Sequence, residues 1–128
     1  MNLANVFAIL KPDQGVDTLP VSEGFYEALD REYGQFQGHV LVSMYTFTRD
    51  WPSWECHPKG DEVVVLLDGE ATMVCELDDG ASREMPLGEP GSYVVIPRNT
   101  WHTAKVPHSA RMLFVTPGEG TQHRNGGC

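Results

Sequence analysis

Residues Trp54–Gly69 read WECHPKGDEVVVLLDG, and the reading of the whole chain turns on them. Glu55 and His57 stand two residues apart in extended chain, so both side chains leave the same face of a strand. Pro58-Lys59-Gly60-Asp61 is a turn by composition, with proline and glycine bending the chain and lysine and aspartate solvating it. Glu62 then opens the β-branched run Val63-Val64-Val65-Leu66-Leu67, a second strand. A short connection therefore returns a carboxylate, an imidazole and a second carboxylate to one place. Those are donors that a divalent first-row metal accepts.

Outward from this stretch the apolar period is two. In His39–Thr48 (HVLVSMYTFT), Val40, Val42, Met44 and Thr46 share one face and Leu41, Ser43, Tyr45 and Phe47 the other. Thr72–Leu77, Ser92–Ile96 and Arg111–Thr116 are further strand-like runs. Turn signals lie at Asp68-Gly69, Asp78-Asp79-Gly80 and Leu87–Gly91. Many short strands between turns mean an all-β sandwich or barrel. One short helix is expected, with Ser22 as N-cap, Phe25, Ala28, Leu29 and Glu32 at helical spacing, and Gly34 closing it. Ahead of it, Val6–Leu10 is an apolar arm suited to adding a strand to its own barrel or to a partner's. Three regions result: an arm and helix over 1–34, a barrel over 35–118, and a polar, glycine-rich tail over 119–128, expected to be partly disordered at its end.

At 128 residues the chain is one domain able to bury a real core. A net charge of −9 argues against a nucleic-acid partner, whose phosphates would be repelled. The longest purely apolar run is Val63–Leu67, far short of a membrane span, and the N-terminus has no basic leader, so a cytoplasmic protein is expected. The three cysteines, Cys56, Cys75 and Cys128, form no CxxC pair and fit reduced thiols. Cys56 points away from Glu55 and His57 on a strand, as a buried small hydrophobe would.

Gly91–His102 reads GSYVVIPRNTWH: a strand bounded by glycine and proline, a tight turn, then a histidine at the start of the next strand. With this stretch beside the first, the chain resembles the cupin superfamily of small double-stranded β-helix (jelly-roll) barrels, over residues 36–117. The family's first motif runs histidine, any residue, histidine, three or four residues, glutamate, six residues, glycine. His57, Glu62 and Gly69 match its later positions. Gly91, Pro97 and His102 match the second motif. The resemblance places His57, Glu62 and His102 on metal-ligand positions. Glu55 replaces the first histidine, Asn99 stands for a glycine and tolerates a left-handed backbone, and Val106 replaces an asparagine found in some members.

The ligand set so implied is Glu55, His57, Glu62 and His102, with Glu55 alternatively orienting His57 as a base behind it. Mixed nitrogen and oxygen donors suit Mn, Fe, Ni and Zn, and the second carboxylate shifts the expectation toward Mn or Fe. Asp61 reads as a solvated turn residue, and His39, His108 and His123, without motif partners, as surface. Trp51, Trp54 and Trp101 flank the motifs as packing or as an aromatic wall, and Tyr45 is a candidate proton donor. The resemblance implies a metal-dependent enzyme acting on a small organic molecule, a dioxygenase-like oxidoreductase or an isomerase. The alternative is a non-catalytic metal- or ligand-binding sensor, marked by a filled tetrahedral Zn site. Exposed sheet edges in so small a barrel point to a homodimer, with the arm a candidate for covering one edge across the two-fold.

Overall fold

A computed structural model describes residues 1–125. In chain order it contains β1 (Val6–Leu10), β2 (Val16–Pro20), α1 (Phe25–Glu32), β3 (Val40–Phe47), β4 (Ser53–Cys56) and β5 (Glu62–Gly69). There follow β6 (Ala71–Glu76), β7 (Ser82–Leu87), β8 (Tyr93–Ile96), β9 (His102–Lys105), β10 (Ala110–Thr116) and β11 (Gln122–Asn125). The strands form two antiparallel sheets, one ordered β2-β1-β3-β10-β5-β8 and the other β11-β4-β9-β6-β7. This is the all-β fold with one short helix that the turn spacing predicts, in the jelly-roll form that the cupin resemblance implies.

Alternation along the strands decides which side chains enter the space between the sheets. On β5, Val64 and Leu66 are fully buried while Val63, Val65 and Leu67 face outward. Met73, Ile96, Ala104, Met112 and Phe114 meet them in one core cluster. A second cluster seats α1, whose Phe25 and Leu29 pack on Phe7, Ile9, Phe36 and Leu41. On β3 the face carrying Leu41, Ser43, Tyr45 and Phe47 is the inner one, which alternation alone left open.

The arm is used within its own chain. Val6–Leu10 pairs with β3 (Ala8 opposite Val42) and is followed by β2 as the sheet's outer strand. Ser22 does not cap the helix through its side chain. Gly24, left-handed at φ 80°, occupies the N-cap, and only the Ser22 carbonyl takes part, accepting the Phe25 N–H at 3.1 Å. Gly34 does close the helix, at φ 58°, and two further left-handed residues, Gln35 and Phe36, turn the Phe36 ring into the second cluster. Strands β7 (SREMPL) and β11 (QHRN) have too little apolar alternation to be read from sequence; backbone pairing to β6 and β4 holds them. In the tail, therefore, residues 122–125 are a strand, while the expected disorder at its end falls on 126–128, outside the described residues.

Gly69, the glycine of the first motif, turns β5 into β6 at φ 84°, and a Cβ there would lie 2.1 Å from the Ser109 carbonyl oxygen. Gly80 has the same φ of 84° but open space around it. Gly80→Ala should therefore cost about 1–2 kcal/mol, the left-handed backbone alone. Gly69→Ala should cost about 3–4 kcal/mol, because the backbone of Ser109 must also move. Urea unfolding of the two variants checks this, and equal losses would contradict it.

Candidate metal centre

Glu55 is the penultimate residue of β4, just before Cys56, and its register partner on β9 is His102, so the two motifs meet in the five-stranded sheet. Glu62 opens β5 in the opposite sheet, paired with Ile96 of β8. The turn after β8 is fastened to the first motif: Asn99, left-handed at φ 59° as its place in the motif predicts, donates its N–H to the His57 carbonyl at 2.9 Å. Arg98 donates its N–H to the exposed Asp61 carboxylate at 2.9 Å, which joins the two turns.

Between the sheets, Glu55, His57 and His102 each offer a ligand atom within 4.8 Å of the others. Glu62 touches both imidazoles, with Oε1 3.1 Å from His102 Nε2 and Oε2 3.5 Å from His57 Nε2, without belonging to that mutually close trio. Glu55 Oε2 lies 3.6 Å from His57 Nε2. His57, Glu62 and His102 are buried, while the Glu55 side chain keeps 30% of its exposure. Cys56 is buried, with Sγ 3.8 Å from Asn99 Oδ1, and is not one of the clustered donors.

Hydrogen bonds behind the rings decide which nitrogen faces the centre. His102 Nδ1 lies 3.0 Å from the Thr100 carbonyl, which can only accept, so Nδ1 carries a proton. His57 Nδ1 lies 2.8 Å from Thr121 Oγ1, and that hydroxyl spends its own proton on the Gly118 carbonyl at 2.9 Å. Thr121 is thus the acceptor, and His57 too is protonated on Nδ1. In the neutral rings both Nε2 lone pairs point into the centre. Thr116 donates its hydroxyl to Glu62 Oε2 and fixes the carboxylate. His57 Nε2, His102 Nε2 and Glu62 Oε1 are all buried without a hydrogen-bond partner among the described residues. Three orphaned lone-pair atoms facing one another are costly unless a cation joins them, and their chemistry fits a divalent metal.

The electrostatics agree. Burial alone would raise the Glu62 carboxyl, but His102 and His57 outweigh it and hold its pKa at about 2. Burial alone would lower His102, and the Glu62 carboxylate reverses that and raises it. The site wants positive charge, as a proton or as a metal.

A cavity of about 840 Å³ opens onto Glu55, His57 and Glu62. Phe47, Trp51 and Phe114 form one wall, their rings in mutual contact, with Trp51 also against His102. Tyr45 does line the cavity, hydrogen-bonded to the Tyr26 hydroxyl, and burial raises both phenols so that they stay protonated at neutral pH. Of the three tryptophans only Trp51 is cavity wall. Trp54 and Trp101 flank the Arg124 guanidinium at 5.3 and 4.7 Å, and Arg124 pairs with Glu76 at 2.7 Å, which fastens β11 to its sheet. His108 is exposed in a loop, as expected. His39 is not simply surface: it is half-buried against the rings of Tyr33 and Phe36. His123, read as surface, is exposed but lies at the cavity rim with Nε2 3.7 Å from Glu55 Oε1. Thr121, Thr116 and His123 escape a reading of the sequence because none lies within either motif, and Thr121 is 64 residues from the ring it orients.

No protein-family model matches the chain, and no curated protein matches it. Solved structures do. A cupin-2 domain protein of Shewanella frigidimarina is 18% identical, with 61% of this chain and 70% of that one aligned at a TM-score of 0.51. An oxalate oxidase is 18% identical over 64% of this chain and 44% of its own, TM-score 0.54. Oxalate decarboxylase of Bacillus subtilis, described with Mn(II) centres, is 15% identical over 68% of this chain, TM-score 0.54. The chain spans less than half of the oxidase and 24% of the decarboxylase. At these identities the likeness is one of fold, and the fold is that of the cupins.

Thr121→Val should weaken binding of a divalent metal by about 10–100-fold, and Thr121→Ser should restore it. Isothermal titration with Mn(II) reads both, and a valine variant that binds as the parent does would contradict the tautomer assignment. In chelated protein, the depressed Glu62 pKa stabilises the fold above its ordinary value of 4.5 and is lost as pH falls toward 2. The raised His102 pKa stabilises the fold below its ordinary value of 6.5 and is lost as pH rises through the folded value. Thermal stability of metal-free protein should therefore peak between pH 4.5 and 6.5. Added metal, which displaces the His102 proton, should move the peak higher. A metal-free optimum above pH 8 would contradict the pairing.

Proposed function

We propose that this protein of cupin fold is a metal-dependent enzyme acting on a small organic molecule, of dioxygenase-like oxidoreductase type, with isomerisation as the second chemistry. The observation that carries the reading is the set of unpartnered lone pairs on His57, His102 and Glu62, of which His57 and Glu62 line a cavity of about 840 Å³. That volume lies within the range of roughly 300–1,000 Å³ used for small-molecule sites. Two imidazoles and the carboxylates of Glu55 and Glu62 would neutralise a divalent ion, and this harder donor set favours Mn(II) or Fe(II). Such an ion supplies Lewis acidity toward a chelating substrate and, as Fe(II), a route to O₂ chemistry.

The chain's own residues have separate tasks. Phe47, Trp51 and Phe114 pack against the apolar part of the substrate and exclude water from the floor. Tyr45, kept protonated and backed by Tyr26, holds a proton for a substrate oxygen. Glu55, the most exposed of the four metal-site residues, and His123 stand where a proton leaves the substrate at the rim. Thr116 and Thr121 hold Glu62 and His57 in place during turnover.

Elemental analysis should find Mn or Fe near one per chain, lost in Glu62→Gln and His102→Ala. Oxygen uptake with a library of enolisable carbonyls and diols should show turnover. Tyr45→Phe should lower kcat by about 10²–10⁴-fold with metal content unchanged. Protein that binds no divalent metal, or a tetrahedral Zn site with no turnover, would overturn the enzyme reading; the latter outcome would favour a sensor.

A further inference from the structure

We propose that Arg49 recognises a carboxylate at the outer end of the substrate, so that the cavity takes an acid with a flat apolar body and metal-binding oxygens at its other end. The inference rests on the metal-dependent reading of the cavity and names the class of molecule that this reading leaves open. Arg49 is the one lysine or arginine along the cavity among the described residues. It is exposed, and its guanidinium has neither an ion pair nor a hydrogen bond among those residues. Elsewhere the chain uses its cations on itself: Lys11, Arg31, Arg98, Lys105 and Arg124 each lie 2.7–3.8 Å from a carboxylate oxygen. With 18 acidic residues to 9 basic ones in the chain, Arg49 goes unpaired beside the cavity although carboxylates are plentiful.

The loop that carries Arg49 is fixed. It runs from the end of β3 to Trp51, whose backbone N–H is donated to the Ala104 carbonyl at 3.0 Å. The Asp50 carboxylate accepts the Val106 N–H at 2.7 Å and so is turned to the backbone there. Trp51 packs against His102, ring centroids 6.3 Å apart, and two residues span at most ~7 Å of chain. A guanidinium on this loop is therefore within a small molecule's reach of the metal ligands, along the wall of Phe47, Trp51 and Phe114.

The other charges at the mouth are engaged. His123 faces Glu55 at 3.7 Å, and Asp30 on α1 lines a separate depression together with Lys59. With a divalent ion neutralising Glu55 and Glu62, Arg49 is the charge left to meet a ligand, and it calls for an anion. Its planar fork is filled by a carboxylate through two parallel N–H···O bonds. A phosphate dianion calls for more donors than this one side chain provides, so carboxylate is the better match. A two-carbon acid would leave most of a cavity of about 840 Å³ empty. The aromatic wall suits a ring or conjugated body between the two polar ends.

Isothermal titration of Mn(II)-loaded protein under argon with dihydrocaffeate and with its amide tests the assignment, because the catechol oxygens suit the metal and only the far end differs. The acid should bind about tenfold more tightly than the amide. Arg49→Gln should bind both equally, with metal content as in the parent, and Arg49→Lys should keep part of the preference. Equal binding of acid and amide by the parent, or binding of neither, overturns the proposal and leaves the metal reading to stand on the elemental analysis. A preference that survives Arg49→Gln overturns it too, as does tighter binding of the matching phosphate ester than of the acid. If the protein holds no metal, the same pair is titrated into chelated protein. An Arg49-dependent preference for the acid then upholds the carboxylate site while the metal reading falls, and its absence overturns both.

Discussion

Glu62 places a carboxylate at the foot of an apolar strand, 3% exposed, where water cannot solvate it. Isolated there, it would protonate or destabilise the barrel. It does neither, because the residue just after β4 and the first residue of β9 bring two imidazoles to it from the facing sheet. The contact is therefore both a joint between the sheets and the seed of the site. Everything around it serves to keep that contact in one geometry: Thr116 on the carboxylate, Thr100 and Thr121 behind the rings, and Asn99 on the backbone of His57. The bonds to Thr100 and Thr121 keep the proton of each ring on Nδ1, and Thr116 fixes the carboxylate, so that the Nε2 lone pairs point forward.

That arrangement explains the division of labour between the two sheets. The six-stranded sheet contributes Glu62 and, from its inner face, Phe47 and Phe114 of the aromatic wall, the connection after β3 contributes Trp51, and the five-stranded sheet contributes Glu55 and His102. The cavity lies where they part. Tail strand β11 closes this end of the five-stranded sheet, and its anchor is Arg124 between two indoles. The anchor brings Thr121 to His57 and His123 to Glu55, so a stretch with no apolar signal completes an otherwise motif-built site.

The all-β fold and the meeting of Glu55, His57, Glu62 and His102 in one place were legible because strong signals coincide there. Val63–Leu67 is unmistakably strand, and glutamate directly before such a run demands a partner. Gly69 announced a turn and Asn99 a position that tolerates a left-handed backbone, and both are left-handed. What stayed hidden was whatever depends on pairing between distant, polar segments. Strands β7 and β11 are held by backbone hydrogen bonds that any side chain permits. The helix start misled for a physical reason: a serine two residues upstream looks like a cap, but Gly24 takes a left-handed conformation that serine would adopt only with strain. The indoles of Trp51, Trp54 and Trp101 could not be assigned from spacing, since wall and clamp differ only in which way a side chain faces.

The most direct test is anomalous diffraction from crystals of metal-loaded protein, collected at the metal's absorption edge. One peak should appear between the sheets, bonded to Nε2 of both His57 and His102 and to an oxygen of Glu62. No peak at that place, or bonding through either Nδ1, would contradict the account at its root.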